Sequence, residues 1–194
     1  MKAQPGLLEG TVIFEPAPIH DDRGFFTRTF DAEVARAAGC DPLRLVQDSQ
    51  SRSSLGVIRG LHLRTDGGEG KLVRCAHGAI VDAAVDLRPA SPTYRLWMTV
   101  VLDDVDHRSV WLPAGLAHGF QTLTETADVC YRIDRVHQPG VDAAISFDDP
   151  ELSIPWPLPA RGLSQRTRRR PRWPRSSRCS VNGSGFCIDH GRTR

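Results

Sequence analysis

Between Thr11 and Asp134 the chain carries ten short runs of strand character: TVIFEP, GFFTRTF, LRLVQDS, GVIRGLHLR, GKLVRCA, AIVDAAVDL, RLWMTVVL, RSVWLPA, GFQTL and ADVCYRID. Gly, Pro, Asp and Ser separate them. A parallel pair of strands needs a crossover of about a dozen residues, usually a helix, and the gaps here are too short for one. The pattern therefore predicts an all-β fold, an antiparallel jelly roll or β-sandwich whose facing sheets leave a pocket between them. One short helix is predicted at DAEVARAAG, with Asp31 as N-cap, Glu33 in the first turn and Gly39 as the stop. A length of 194 residues, 40% of them hydrophobic, gives room for one domain with a real core. The stretch PWPLP, Pro155 to Pro159, ends the strand-rich body and predicts a boundary between a domain over 1–158 and a tail over 159–194.

The net charge of +2 hides a division. Residues 1–158 carry 15 Lys/Arg and 22 Asp/Glu, whereas residues 159–194 carry ten Arg and one Asp. The tail run RTRRRPRWPRSSRC is basic, broken by proline and without apolar periodicity. Its only aromatic residue is Trp173 and no nucleic-acid-binding module accompanies it, so an irregular tail is expected rather than a nucleic-acid arm. The five cysteines are odd in number and form no CxxC pair, which fits a reducing cytoplasm better than a disulfide framework. The opening MKAQPGLLEG has no apolar core of a signal peptide, and no stretch approaches the roughly 20 apolar residues of a membrane span. A cytoplasmic protein without a membrane partner is expected.

Familiar chemical motifs are scarce. GGEGKL has the end of a phosphate loop, but Thr65 stands at its first glycine and Leu72 after its lysine. Neither HxH nor HExxH occurs, so the histidines give no positive sign of a metal. What remains is a set of polar residues set into strands. On AIVDAAVDL, period two puts Asp82 and Asp86 on one face with Ile80 and Ala84, and the alternation alone favours a solvated outer face for them. Tyr131 shares parity with Val129 and Ile133, and His118 with Leu116 and Phe120, so both are expected to point inward. Arg59 and His62 pose a sharper problem, because three residues of regular strand send side chains to opposite faces. Both reach one pocket only if the strand is irregular, and Gly60 is where a bulge costs least.

The blocks QDSQSRSSLGVIRGLHL, GKLVR, DAAVDLRPASPTY, WLPAGLAHGFQTL, YRID and FDDPELSIPWPL, in order and at near-constant spacing, together resemble the dTDP-4-dehydrorhamnose 3,5-epimerase family of deoxysugar biosynthesis. The resemblance implies a cupin-type jelly roll with one or two short helices. It also implies a homodimer that works without metal or organic cofactor on a dTDP-4-keto-6-deoxyhexose. Matched residue by residue, it gives His62 as the general base, Asp149 as the partner of that histidine, Tyr131 as the general acid and Lys71 as the cation at the keto oxygen. Arg59 matches an arginine that grips the pyrophosphate. Arg23, Gln47 and His118 fall on further substrate-contact positions.

Departures from the family pattern also stand out. Arg28 occupies a usual glutamate position, Ser49 a usual asparagine, His137 a usual second tyrosine and Asp142 a usual glutamate. The fading match at GLSQR puts Arg166 at a substrate-contacting lysine. Three alternatives are carried forward: a monoepimerase acting at C3 or C5 only, a non-catalytic sugar-nucleotide-binding cupin, and a metal-dependent cupin oxygenase.

Overall fold

The computed structural model describes residues 1–162 and, as backbone alone, two further short strands, β14 (Cys179–Val181) and β15 (Cys187–Asp189). Arg166 lies outside the described residues. Two antiparallel sheets face each other. The first has six strands in the order β1 (Lys2–Pro5), β2 (Val12–Glu15), β10 (Ser109–Leu112), β7 (Lys71–His77), β12 (Thr126–Ile133) and β5 (Gln47–Ser54). The second has five, in the order β13 (Asp142–Ala144), β6 (Ile58–Arg64), β11 (Leu116–Thr122), β8 (Ala79–Asp86) and β9 (Trp97–Asp103). A separate hairpin, β3 (Ile19–Asp21) with β4 (Gly24–Phe26), stands beside them. The predicted all-β jelly roll is the observed fold.

Three apolar clusters hold the layers together. Between the sheets, Val73, Val110 and Val129 of the first meet Ile80, Ala84, Met98, Leu102 and Phe120 of the second. On the outer face of the five-stranded sheet, Leu61, Ala83, Val85 and Ala117 are covered by Ile145, Leu152 and Ile154 from the segment after β13. On the outer face of the six-stranded sheet, Val12, Phe14, Leu72 and Trp111 receive Ala35 and Cys40 from the helical region. The inner strands, such as β8, β10 and β11, are thus buried on both faces, which explains why they read as nearly continuous runs without alternation, whereas the edge strands β1 and β5 stay polar and mostly exposed.

The helix α1 (Ala32–Ala37) begins where capping chemistry predicts, with the Asp31 carboxylate accepting from the amides of Glu33 and Val34. It stops before Gly39, whose φ of +86° is left-handed. Two predicted strands are shorter than their patterns. GFFTRTF forms a strand only over Gly24–Phe26, and LRLVQDS opens inside a 3-10 turn, Pro42–Arg44, and forms a strand only from Gln47 onward. In both, the apolar residues pack on a sheet's outer face or stay exposed instead of joining a ladder. The strand β1 and the three-residue strands β3 and β13 lack a pattern long enough to announce them.

Asp82 and Asp86 overturn the expected solvated face. They share the inward parity of Ile80 and Ala84, and their exposures are 1% and 0%. Asp86 is a structural anchor at the end of β8. Its oxygens accept from the Arg88 amide and guanidinium and from the hydroxyls of Ser91 and Thr93, and this ties down the loop to β9. Burial pushes its carboxyl up, but the hydrogen bonds from Arg88, Ser91 and Thr93 outweigh burial and hold it down at about 2. Because the folded value lies below the ordinary one, this stabilisation is complete above about pH 5 and is lost as pH falls towards 2. About 2.5 kcal/mol should disappear across that window. Thermal unfolding followed from pH 6 to pH 2 should show the slope, and Asp86→Asn should flatten it while lowering stability at neutral pH.

Candidate active site

Across β6 and β11, His62 pairs with His118 and Arg59 pairs with Phe120. Three steps along β6 therefore match two along β11, so β6 holds one extra residue at Gly60–Leu61, opposite Gly119. This is the bulge expected at Gly60. It turns Arg59 to the same side as His62, while Leu61 points the other way into the outer cluster. Two glycines make the approach possible. Gly60 has φ +131°, and a Cβ there would lie 2.4 Å from the Gly119 Cα. A Cβ on Gly119 would lie 2.7 Å from the Arg59 carbonyl oxygen.

The bulged strand forms one wall of a cavity of about 320 Å³ between the sheets, a volume suited to a small organic ligand. The five-stranded sheet contributes Arg59, His62, His118, Phe120 and Asp142; the six-stranded sheet contributes Lys71, Tyr131 and Ile133; Glu69 enters from the loop before β7. Arg59, His62, Lys71, His118, Tyr131 and Asp142, six of the residues singled out in the sequence, therefore meet in one space. Arg59 and Lys71 mark its two ends. The Arg59 guanidinium donates to the Ser53 hydroxyl at 2.8 Å and the Arg52 carbonyl at 3.1 Å, near the Ala127 end of β12, whereas Lys71 pairs with Ile133. Along β12 those positions are about 20 Å apart.

The polar groups of the cavity have partners that shape what they can do. The Tyr131 hydroxyl lies 3.0 Å from the Ser51 hydroxyl. Burial pushes its phenol up, further than the Ser51 contact and Arg59 lower it, so at neutral pH it is a proton donor and not a phenolate. His118 Nε2 lies 2.7 Å from Asp82 Oδ2, and both side chains are nearly inaccessible. Lys71 Nζ lies 2.9 Å from Glu69 Oε1. Asp149 is buried at 2% exposure, and its Oδ1 accepts the Glu151 amide at 2.9 Å. The chain reaches Asp149 from β13, where Ala144 pairs with His62 and the Ile145 amide donates to the Leu61 carbonyl at 3.0 Å.

The other singled-out residues stand apart from this lining. Gln47 and Ser49 are on the edge strand β5, with Ser49 opposite Tyr131 in the ladder but exposed. His137 is exposed on the loop between β12 and β13. Arg23 is at the tip of the β3–β4 hairpin, ion-paired to Asp21, and the hairpin's Phe25 ring sits 4.5 Å from that of His107. Sequence reasoning missed Glu69, Ser51 and the role of Asp82. For Asp82 the parity with Ile80 was the available signal; Glu69 and Ser51 carried none. No group of three or more His, Cys, Asp or Glu among the described residues is arranged to hold a metal ion.

A double-sheet roll that sets two imidazoles, a phenol and an ammonium around a ligand-sized cavity between its sheets defines an enzyme of the cupin type. Comparison with known proteins makes this specific. The family model for dTDP-4-dehydrorhamnose 3,5-epimerase matches residues 6–174. The dTDP-4-dehydrorhamnose 3,5-epimerase of Pseudomonas aeruginosa is 41% identical over 170 residues, covering 87% of this chain and 94% of that protein. The dTDP-4-dehydrorhamnose 3-epimerase of Streptomyces niveus is 38% identical over 167 residues, covering 86% and 81%. The crystal structure of the 3,5-epimerase from Bacillus anthracis, with TDP and PPi bound, superposes with a TM-score of 0.84 at 36% identity, covering 89% of this chain and 99% of that one. The chain belongs to the dTDP-4-dehydrorhamnose 3,5-epimerase family.

Gly119→Ala tests the bulge. The new methyl must push the Arg59–Gly60 backbone away, which should cost about 1–3 kcal/mol. The expected readout is a lower urea midpoint at unchanged slope.

Proposed function

We propose that this protein is an epimerase that inverts C3 and C5 of a dTDP-4-keto-6-deoxyhexose by moving protons alpha to the C4 ketone. One observation carries the reading: an imidazole on one sheet and a phenol on the other line the same cavity, with a lysine on β7, the strand next to the phenol's. The substrate's own ketone acidifies the neighbouring C–H bonds, so the reaction needs no metal or organic cofactor.

In this mechanism His62, in its neutral form, takes the proton from carbon. Asp149, on the segment alongside β6, accepts a hydrogen bond from the other ring nitrogen, fixing the tautomer and stabilising the imidazolium that forms. The electron pair of the broken C–H bond moves onto the C4 oxygen as an enolate, where the Lys71 ammonium stabilises it, an effect typically worth about 3 kcal/mol per well-placed donor. The enolate pair then returns to carbon and the ketone re-forms as Tyr131 gives its proton to the opposite face, so the configuration inverts; exchange with solvent takes the proton from His62 and returns one to Tyr131. A phenol pushed up by burial suits that task, because it stays protonated until a strongly basic carbon meets it. Arg59, at the far end of the cavity, grips the diphosphate with its bidentate fork. His118, held by Asp82, and Asp142 bind the sugar. Gln47, Ser49, His137 and Arg166 contribute substrate contacts at the rim.

A cytoplasmic homodimer is part of the proposal. The β3–β4 hairpin exposes Ile19 at 68% and Phe26 at 71%, more apolar surface than an isolated hairpin tip normally leaves in water. Arg23 at its tip does not reach the cavity of its own chain, and a second copy supplies a cavity it can serve. The catalytic unit is the 1–158 roll, with 159–194 as an appendage. No helix among the described residues is long and apolar enough to cross a membrane. Sedimentation equilibrium should return twice the 21.4 kDa chain mass, and a monomer at micromolar concentration would contradict the dimer.

The activity is tested by incubating the protein with dTDP-4-keto-6-deoxyglucose in deuterium oxide. Deuterium is expected at both C3 and C5. Incorporation at neither removes the proposal; incorporation at one carbon selects the monoepimerase, the second reading, to which the similarity with a 3-epimerase gives weight. His62→Ala should lower exchange by about 10²–10⁴-fold without unfolding the protein. Tyr131→Phe should keep proton removal but lose inversion, so exchange should outlast epimer formation.

A further inference from the structure

Glu69 turns a carboxylate into the cavity beside the lysine, and the mechanism above assigns it no task. Its Oε1 lies 2.9 Å from Lys71 Nζ and its Oε2 3.3 Å from Arg64 Nη1. We propose that Glu69 is a positioning residue for catalysis: it bridges the Lys71 ammonium to Arg64 and so fixes the cation at the cavity wall before substrate arrives. The proposal rests on the reading of Lys71 as the cation that stabilises the enolate.

The anchor behind Glu69 is rigid. Arg64 is only 4% exposed in its side chain; its Nε and Nη2 bind Asp66 at 2.9 and 2.6 Å, and its Nη1 also donates to the Val136 carbonyl at 3.0 Å. The backbone next to Glu69 is equally held. The Gly70 amide donates to Asp134 Oδ1 at 2.7 Å, and a Cβ on Gly70 would fall 2.3 Å from the Trp111 ring. Lysine alone is a compact charge on a flexible four-carbon stem. Electrostatic stabilisation of a transition state is efficient only when the donor needs no reorganisation as charge develops. The Arg64–Glu69 bridge supplies that fixity and leaves two of the three ammonium hydrogens for the cavity.

The charges also alternate. Glu69 lies between Lys71 and Arg64, and Asp66 between Arg64 and Arg135, so the half-buried ammonium sits against the wall beside an opposite charge. The carboxylate does not cancel the lysine's effect on the substrate. An enolate oxygen meets the ammonium at hydrogen-bonding distance and the carboxylate from farther away, and Coulomb energy falls with separation.

A double-mutant cycle separates positioning from structure. Glu69→Ala removes the acceptor, Glu69→Met removes it while keeping an unbranched chain of similar length, and Glu69→Gln keeps an oxygen for the lysine. Each is made in the wild-type and Lys71→Ala backgrounds. Deuterium exchange, kcat, KM and dTDP affinity are measured for all. In the wild-type background Glu69→Ala and Glu69→Met should lower kcat about tenfold, with KM and dTDP affinity within about twofold, and Glu69→Gln should recover most of the loss. In the Lys71→Ala background the same changes should cost less than about twofold. Equal losses in both backgrounds would mark a merely structural residue and overturn the proposal, as would wild-type kcat in both Glu69→Ala and Glu69→Met. If Glu69→Ala fails to fold, Glu69→Met carries the cycle with the same criteria. Full exchange by Lys71→Ala itself would overturn the reading of the lysine, a failure distinct from loss in Lys71→Ala with none in the Glu69 variants.

Discussion

At the centre of the five-stranded sheet, β6 and β11 run out of step by one residue between the His62–His118 and Arg59–Phe120 pairs. Gly60 and Gly119 let the two backbones close to a separation that any side chain would prevent. Because of that extra residue, a strand that pairs normally at both ends presents an arginine and a histidine to the same interior space. The cavity, its basic lining on this wall and the outward turn of Leu61 into the covering cluster all follow from it. A regular ladder would leave His62 inside and send Arg59 to the outer face, where the segment after β13 packs.

A sandwich interior is an expensive place for polar groups, and this one holds several. The structure offsets that cost by pairing the groups that line the cavity. Asp82 meets His118, the Tyr131 hydroxyl meets Ser51, and Lys71 meets Glu69 and through it Arg64. The apolar cluster of Val73, Val129, Ile80 and Ala84 joins the sheets beside these groups, and the half-buried Tyr131 packs against it. The polar lining thus interrupts an otherwise apolar core. Its residues are held from behind, so their orientation does not depend on a ligand.

Two carboxylates on one strand face illustrate what period two conveys and what it omits. Alternation on AIVDAAVDL correctly groups Asp82 and Asp86 with Ile80 and Ala84, yet it is silent on which face is buried, because the opposite face carries Val and Ala and is covered too. The two aspartates then diverge in role. Asp86 meets Arg88, Ser91 and Thr93 within its own loop, while Asp82 meets a histidine 36 residues away. The inward parity of Tyr131 and His118 was legible, and so was the bulge, since a glycine between two polar residues on an apolar strand has few other uses. Glu69 was not legible: it lies in a glycine-rich loop, TDGGEGK, where no periodicity assigns a direction to a side chain.

The amino-acid sequence by itself determined the antiparallel class, the helix start at Asp31 and the identity and inward parity of His118 and Tyr131. These depend on short-range rules: strand period, turn residues, capping and the length of connections. Its blocks in register also determined the family. Only the tertiary structure decided that His62 and Tyr131, on different sheets, share one cavity, that Asp82 is buried against His118, that Arg23 stands away from its own chain's cavity, and that Glu69 clasps Lys71. Those are long-range facts. They depend on how the two sheets stack and on which loop closes over which strand end, and nothing in a local pattern encodes the distance between strands that are far apart along the chain.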